Sequence, residues 1–596
     1  MSLIVQKFGG TSVADAEKIR AAARRAIRAQ SQGAKVVMVV SAMGKNTDAL
    51  VDLAGQMCDD PPAREMDMLL STGEQVSVAL MAMAIHGLGG EAVSLTGGQI
   101  GIRTDSSHGK ARIQSISTER VLAHLEAGRI VIAAGFQGID EELNITTLGR
   151  GGSDTTAVAL AAVLGADVCE IYTDVDGVFT TDPRIEPAAR KMSCVSHDEM
   201  LELASLGAGV MHSRSIEFGK KFNVPIHVRN SGVFTDEPGT IIGPMPEAAD
   251  RPVSGAALTK NEARLTVSGV PDTPGTSLAL FERLAAANVV VDMIVQTGGR
   301  DGRADISFTV LESDLPLALS TAEEAAKAIG AEGGVSHDAT VSKVSVVGLG
   351  MATQSGVADR LFRTLSEAGV NVQAITTSEI KVSCLVGRDQ ALESLRAAHR
   401  EFELDMPPEK RIAFDETLAE AKRAKSADAG AVISRLQAME ELTIHGANLD
   451  DKQSLFTLAS VPDTPGIAAD IFERIAAEEI VVDLIVQGIG DDGHTTLAFT
   501  VPRKDHARAE QAVRAISESH GGEPTSEPEI AILSVTGVGV RSHTGVGARM
   551  FRALSEAGIN VELICTSEVE VNAVVSGENG AAGLAALEKA FADVVR

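Results

Sequence analysis

Positive charge is in deficit in this 596-residue chain: 53 Lys and Arg stand against 81 Asp and Glu, a net charge of −28. That balance argues against nucleic acid or an anionic membrane surface as a partner. Cysteine is scarce too. The five residues, at 58, 169, 194, 384 and 565, are odd in number and form no C-x-x-C pair. They read as reduced, buried thiols of a cytoplasmic protein. The thirteen histidines include no pair four apart, so the helical zinc motif is missing. No apolar run approaches about 18 residues, so no membrane span is expected. Met1-Ser2-Leu3-Ile4 lacks the charged start of a signal sequence. Met66, Met68, Met81 and Met83 lie near helical spacing and read as core filling, not as metal ligands.

What the chain does have is glycine-rich turns ahead of helices. Leu3 to Phe8 is an apolar run of strand length, and it leads into Lys7-Phe8-Gly9-Gly10-Thr11-Ser12. Ser12, with Asp15 three residues on, predicts a capping-box-like helix start. Amides exposed at a helix N-terminus seat phosphate or carboxylate. Lys7 beside them is either a phosphate ligand or a plain solvated charge.

Thr147-Leu148-Gly149-Arg150-Gly151-Gly152-Ser153-Asp154-Thr155-Thr156 repeats the logic. Ser153 or Asp154 is expected to cap an Ala-rich helix running toward Leu164. Gly151 and Gly152 let a ligand approach the backbone closely, and Arg150 suits a carboxylate or phosphate. A plain left-handed turn with a surface Arg leaves unexplained why a cation, two glycines and an acid cluster here. A third stretch, Tyr172 to Arg184, places Thr173, Asp174, Phe179, Thr180, Asp182, Pro183 and Arg184 after a buried-looking strand. Its acids suit Mg²⁺ or a nucleotide, or are simple turn formers. Asp174-Val175-Asp176-Gly177 lacks the twelfth-position Glu of an EF-hand.

The length suits about three to five domains. Residues 1–245 alternate short apolar runs with helical patterns, which predicts an α/β sandwich with a largely parallel sheet. A Pro- and acid-rich stretch near 244–252 reads as a linker. Beyond it the chain repeats itself. Val270-Pro271-Asp272-Thr273-Pro274-Gly275 recurs 191 residues on (272 to 463) as Val461-Pro462-Asp463-Thr464-Pro465-Gly466. Leu365-Ser366-Glu367-Ala368-Gly369-Val370-Asn371-Val372 recurs 189 residues on (365 to 554) with Ile559 in place of Val370. A two-module unit is therefore duplicated, giving modules at 262–335, 341–405, 453–524 and 530–596. Residues 406–440 read as a linker with a short helix.

The three glycine- and acid-bearing segments, with Ser41, Thr47 and Ser71-Thr72-Gly73-Glu74, resemble the aspartate kinases of the amino-acid kinase family. The four modules resemble ACT domains, the βαββαβ amino-acid sensors. The resemblance implies a three-layer kinase sandwich followed by four ACT modules. It implies Mg-ATP-dependent phosphorylation of the L-aspartate β-carboxylate, the opening step toward lysine, threonine, methionine and isoleucine. Lys7, Arg150 and Asp154 would be catalytic. Thr47, Glu74, Arg150, Gly151, Gly152 and Ser153 would hold aspartate. Lys7, Phe8, Gly9, Gly10, Ser41, Thr173, Asp174, Phe179, Thr180, Asp182, Pro183 and Arg184 would hold ATP. Asp272, Gly275, Gln296, Asn371, Ser378, Glu379, Asp463, Gly466, Gln487, Asn560, Ser567 and Glu568 would bind lysine or threonine as feedback effectors. Asp272 and Asp463 otherwise read as helix caps. A homodimer through ACT domains is implied. The sequence departs from the family at Gly209, where a nucleotide-contacting Lys is common.

Two other readings stand beside this one: a kinase of the same fold acting on another small acid, and an inactive ACT-domain sensor. Arg150-Gly151-Gly152-Ser153-Asp154 counts against the first, and the intact Lys7, Asp154, Asp174 and Asp182 against the second. A fused dehydrogenase would need a further dinucleotide domain. Gly348-Leu349-Gly350 is only a fragment of that fingerprint.

Overall fold

The computed structural model describes residues 2–595 except 208–209, 233–236, 249–250, 299–301, 353, 355, 411–415, 417–418, 420–439, 441, 490–492 and 541–544. Gly209 and most of the 406–440 linker fall outside the described residues.

The first apolar run becomes the strand Leu3–Phe8, which pairs in parallel with Lys35–Val40 on one side and Val168–Thr173 on the other. The sheet has eight strands, running in space Cys194–Ser196, Thr240–Gly243, Ile226–Asn230, Val168–Thr173, Leu3–Phe8, Lys35–Val40, Ile130–Ala134 and Ala92–Leu95. Only the pairing of Thr240–Gly243 with Ile226–Asn230 is antiparallel. Lys35–Val40 and Ile130–Ala134 are apolar beyond Lys35 because both faces of the sheet are covered. Val5, Val37 and Val39 pack into one core. Phe8, Val36, Met38 and Val40, one residue out of phase, pack into the other. This is the expected sandwich. A small sheet of Ile113–Ile116, Ile102–Thr104, Gln137–Ile139 and Ile145–Thr147 sits beside it.

Among the described residues one helix, Ala63–Gly87, is long and apolar enough by composition to cross a bilayer, with a mean hydropathy of 1.4 over an 18-residue window, although Asp67 and Glu74 interrupt its apolar runs. Those two residues are buried in the domain, as are Ser71 and Ser77, which suits a core helix. Its methionines differ from expectation. Met81 is buried, whereas Met68 and Met83 are exposed.

The repeats build a second sheet of twelve strands. The strand Gly255–Pro271 serves two modules. Its first half, Gly255–Thr259, pairs with Lys343–Val347, and its second half pairs with Arg303–Leu311. Thr443–Pro462 does the same in the second copy. Each later module is thus completed by residues that precede the earlier one. The copies join where Ile375 and Thr376 pair antiparallel with Gln487 and Val486. Helix Val357–Glu367 lies against Ile467–Ala477, and Thr276–Ala286 against Gly545–Glu556. The first module therefore partners the fourth, and the second partners the third, all within one chain.

The regulatory sheet also touches the first domain. Glu202, fully buried on helix His197–Ser205, pairs with Lys381 at 2.8 Å and accepts from the Glu568 amide at 3.0 Å. Glu199, on the same helix, accepts from Ser254 Oγ and from the Leu349 amide.

Candidate functional site

The parallel strands end together at Phe8, Val40, Ala134, Thr173 and Asn230, the edge where open α/β sheets bind ligands. Lys7 reaches from that edge to Asp154, Nζ to Oδ1 2.6 Å, with both side chains nearly buried. Gly9 and Gly10 follow. A Cβ on Gly10 would lie 2.9 Å from the Ala42 carbonyl, so the turn closes only because no side chain is there. The helix expected next starts later than predicted. A short 3-10 turn, Gly10–Val13, comes first, and Asp15 caps helix Ala16–Ser31 by accepting from the Lys18 amide. Ser12 Oγ instead bonds Ser231 Oγ at 2.7 Å.

The second glycine turn is also shifted. Gly151, at φ +69°, is the N-cap of helix Gly152–Val163, so Ser153 and Asp154 stand inside its first turn and do not cap it. A Cβ on Gly151 would come within 2.2 Å of His212 Cβ. The Ser153 and Asp154 amides lie at the helix start, where no intrahelical acceptor exists. Arg150 is exposed next to them. Glu74 is buried across the Ala42 turn, with Oε1 accepting from the Ala42 amide at 3.0 Å and Oε2 without a partner. Burial pushes its carboxyl up to about 7. Thr47 is half-buried in the first turn of helix Asn46–Gly55.

The nucleotide expectations divide. Thr173 and Asp174 lie at the strand edge, Asp174 exposed and accepting from Thr173 Oγ1 at 3.2 Å. Ser41 is half-buried, and its amide donates to the Phe8 carbonyl. The Phe8 ring is stacked on Tyr172 at 4.7 Å in the core and faces no ligand. Thr180 is fully buried against the regulatory sheet, its Oγ1 3.1 Å from His399 Nε2. Asp182 is held by Arg184, which pulls its carboxyl below the usual range. Pro183 lies between those two. Phe179 is half-buried and bridges to Lys191. Sequence reasoning missed Asp67, buried seven residues ahead of Glu74 on the same helix face; the spacing was the available signal.

The module junctions bring together most of the expected effector residues. Asn560 Nδ2 donates to Asp272 at 2.9 Å, and Asn371 Nδ2 to Asp463 at 3.1 Å. Gln296 and Gln487 donate to the Val561 and Val372 carbonyls. Gly275 and Gly466, both left-handed, are the true helix caps, so the two aspartates are not. A cavity of about 20 Å³ lies at the Asp463 junction. A larger one, about 440 Å³, includes Gln354, Asp359, Ser378, Glu379, Gln453 and Asp483 in its wall. Asp359 Oδ1, Ser378 Oγ and Gln453 Oε1 are buried there without partners. Ser567 and Glu568 differ from Ser378 and Glu379: both are buried, Glu568 against Glu202.

The amino acid kinase family model matches residues 2–230, and ACT domain models match 344–402, 456–521 and 533–591. The chain is 49% identical over 410 residues to an aspartokinase of Pseudomonas aeruginosa, covering 68% of this chain and 99% of that one. It is 49% identical over 409 residues to aspartokinase 2 of Bacillus subtilis, with 68% and 99% covered. Among solved structures, the aspartate kinase from Synechocystis aligns with a TM-score of 0.52 at 38% identity, over 99% of this chain and 98% of that one.

Lys7, nearly buried and paired with Asp154 one residue from the end of its strand, is the candidate charge-stabilising donor. Lys7→Ala is expected to lower ADP release at least about a hundredfold in folded protein, measured in a coupled assay. Near-normal turnover would remove Lys7 from the chemistry.

Proposed function

The chain belongs to the aspartate kinase family, and from that premise we propose that it transfers the γ-phosphoryl group of Mg-ATP to the β-carboxylate of L-aspartate. The products are 4-phospho-L-aspartate and ADP. The observation that carries this is the Lys7–Asp154 pair beside Arg150 and a helix start with free amides. A free carboxylate with a pKa of about 4 is ionised at neutral pH. No general base is needed, and the site's work is positioning and charge stabilisation.

Lys7 stabilises charge on the transferring group, with the Gly9 and Gly10 amides beside it. Asp154 orients Lys7. Arg150 grips the substrate α-carboxylate with Thr47 and the Gly151–Ser153 backbone. Glu74, whose Oε2 is unpartnered, takes the ammonium. Ser41, Thr173 and Asp174 line the nucleotide site. Among the described residues no three His, Cys, Asp or Glu side chains cluster for a metal. Magnesium keeps waters and needs few protein ligands, and the exposed Asp174 carboxylate fits that role. When bound, the ion neutralises phosphate charge.

The reaction opens the route to lysine, threonine, methionine and isoleucine in this reading, and the ACT domains carry feedback inhibition. The junctions discriminate between effectors by charge. In the first copy Lys343 is buried between Glu262 and Asp292. In the second copy, 191 and 189 residues on (262 to 453, 292 to 483, 343 to 532), the same places hold Gln453, Asp483 and Ile532. The lysine side chain is gone, Gln453 and Asp483 line the cavity of about 440 Å³, and desolvation with Glu379 nearby pushes the carboxyl of Asp483, a residue still open to solvent, up to about 6. A free lysine restores the missing ammonium. The small Asp463–Asn371 junction suits threonine, and Asp272–Asn560 is its counterpart.

The cytoplasm is the proposed location. A homodimer through the ACT domains is also proposed.

The first test is ADP release with Mg-ATP and L-aspartate, with and without lysine plus threonine. Aspartate-dependent turnover suppressed by the amino acids is expected; no aspartate dependence in folded protein would sink the reading. Glu74 is neutral below pH of about 7 and ionised above it. The KM for aspartate should therefore fall several-fold from pH 6 to 8, and Glu74→Gln should flatten that profile. Asp483→Asn should raise the lysine concentration for half-inhibition at least about tenfold, leaving basal turnover intact. In the wild type, lysine inhibition should weaken as pH falls through about 6, because Asp483 gains a proton. An inhibition curve unmoved by either change would remove lysine from this cavity.

A further inference from the structure

We propose that Asp67 is a positioning residue that holds the aspartate-binding turn at a fixed distance from Glu74. The inference rests on the substrate reading above. Asp67 is 0% exposed, and an isolated carboxylate so placed is costly unless donors surround it. It accepts from Thr147 Oγ1 at 2.5 Å, from His108 Nδ1 at 2.7 Å, and from the Gly109 amide at 3.0 Å to one oxygen and 3.1 Å to the other. No Lys or Arg pairs with it among the described contacts, so these donors carry its whole stabilisation.

The donors come from two segments that form one wall of the site. Thr147 ends the strand Ile145–Thr147, and Leu148, Gly149 and Arg150 follow directly. His108 and Gly109 belong to a loop that presses on the same turn. A Cβ on Gly149 would lie 2.9 Å from the Gly109 carbonyl, and the Ala111 amide donates to the Thr147 carbonyl at 2.9 Å. The acceptor comes from elsewhere. Asp67, Ser71 and Glu74 stand at i, i+4 and i+7 on helix Ala63–Gly87, one face of it. The Ser71 carbonyl accepts from Gln137 Nε2 at 3.0 Å, a second tie between that face and the small sheet.

Asp67 therefore joins the element that carries Glu74 to the turn that carries Arg150. These groups take opposite ends of a short zwitterion. A pin between them sets how well one ligand meets both, and it does not touch the nucleotide side, where Lys7, Ser41 and Thr173 stand. Its loss is felt in the KM for aspartate before it is felt in the KM for ATP.

Asp67→Asn keeps the volume and puts an amide where three donors converge. The KM for aspartate is expected to rise at least about tenfold, with the KM for ATP changed by less than about twofold. Thr147→Val should move the same way, and Thr147→Ser, which keeps the hydroxyl, should stay near wild type. The Thr147 pair decides if Asp67→Asn does not fold. An unchanged aspartate KM in Thr147→Val, or equal rises in both KM values, overturns the proposal. A wild-type protein without aspartate-dependent turnover would overturn the substrate reading beneath it instead.

Discussion

A cation buried in a strongly acidic protein must be held in place, and Asp154 holds Lys7 at 2.6 Å. That ion pair ties the first strand to the helix that begins at Gly152, two segments almost 150 residues apart in sequence. Both glycine turns are shaped around it. Gly10 has no side chain because the Ala42 carbonyl lies against it, and Gly151 has none because His212 does. A buried ion pair is weak evidence of stability, since desolvation offsets much of the attraction. In the proposed reaction its value is that it keeps an ammonium group aimed at the strand edge, where ATP would give up its terminal phosphoryl group.

The duplicated half shows how one architecture carries different charge patterns. The copies keep Asp272 and Asp463 in the same turn and give each an asparagine from the opposing module. They differ where it matters for charge. Glu262, Lys343 and Asp292 close on one another in the first copy. Gln453, Ile532 and Asp483 leave acceptors without a donor in the second. Gln453 Oε1 is buried there without a partner, and Asp483, open to solvent at the cavity, has no Lys or Arg paired with it among the described residues. A buried acceptor without a donor is retained at a cost, which a donor on a bound ligand would remove.

Much of this was legible in the sequence. The α/β alternation, the strand ends, the glycine turns and the repeat were all visible as pattern. The repeat marked the asparagines and aspartates as effector residues, but not that Asn560 would bond Asp272 and Asn371 would bond Asp463. What was not legible depended on contacts between distant segments. Ser12 looks like a cap until Ser231 claims its hydroxyl, and Asp15 takes over. Ser153 and Asp154 look like caps, but Gly151 alone adopts the left-handed backbone next to His212. Phe8 and Thr180 sit within binding motifs, yet Tyr172 and His399 take them into the interior. No local pattern reveals that the first half of Gly255–Pro271 belongs to the module after next.

The helix His197–Ser205 is where the two halves of the molecule meet chemically. Its Glu202 faces Lys381, two residues beyond Glu379, and the Glu568 amide. Its Glu199 faces Leu349, which opens the loop leading to the large cavity. The next helix, Ser213–Lys221, packs on it and begins at His212, the residue that crowds Gly151. A contiguous set of packed elements therefore runs from the 440 Å³ cavity to the Gly149–Gly151 turn. An effector alters turnover only if it binds one arrangement of these elements more tightly than another. The buried Glu202–Lys381 pair suits that requirement, because a fully desolvated charge tolerates few geometries. A small rotation of the regulatory sheet would either keep the pair or break it, with little in between.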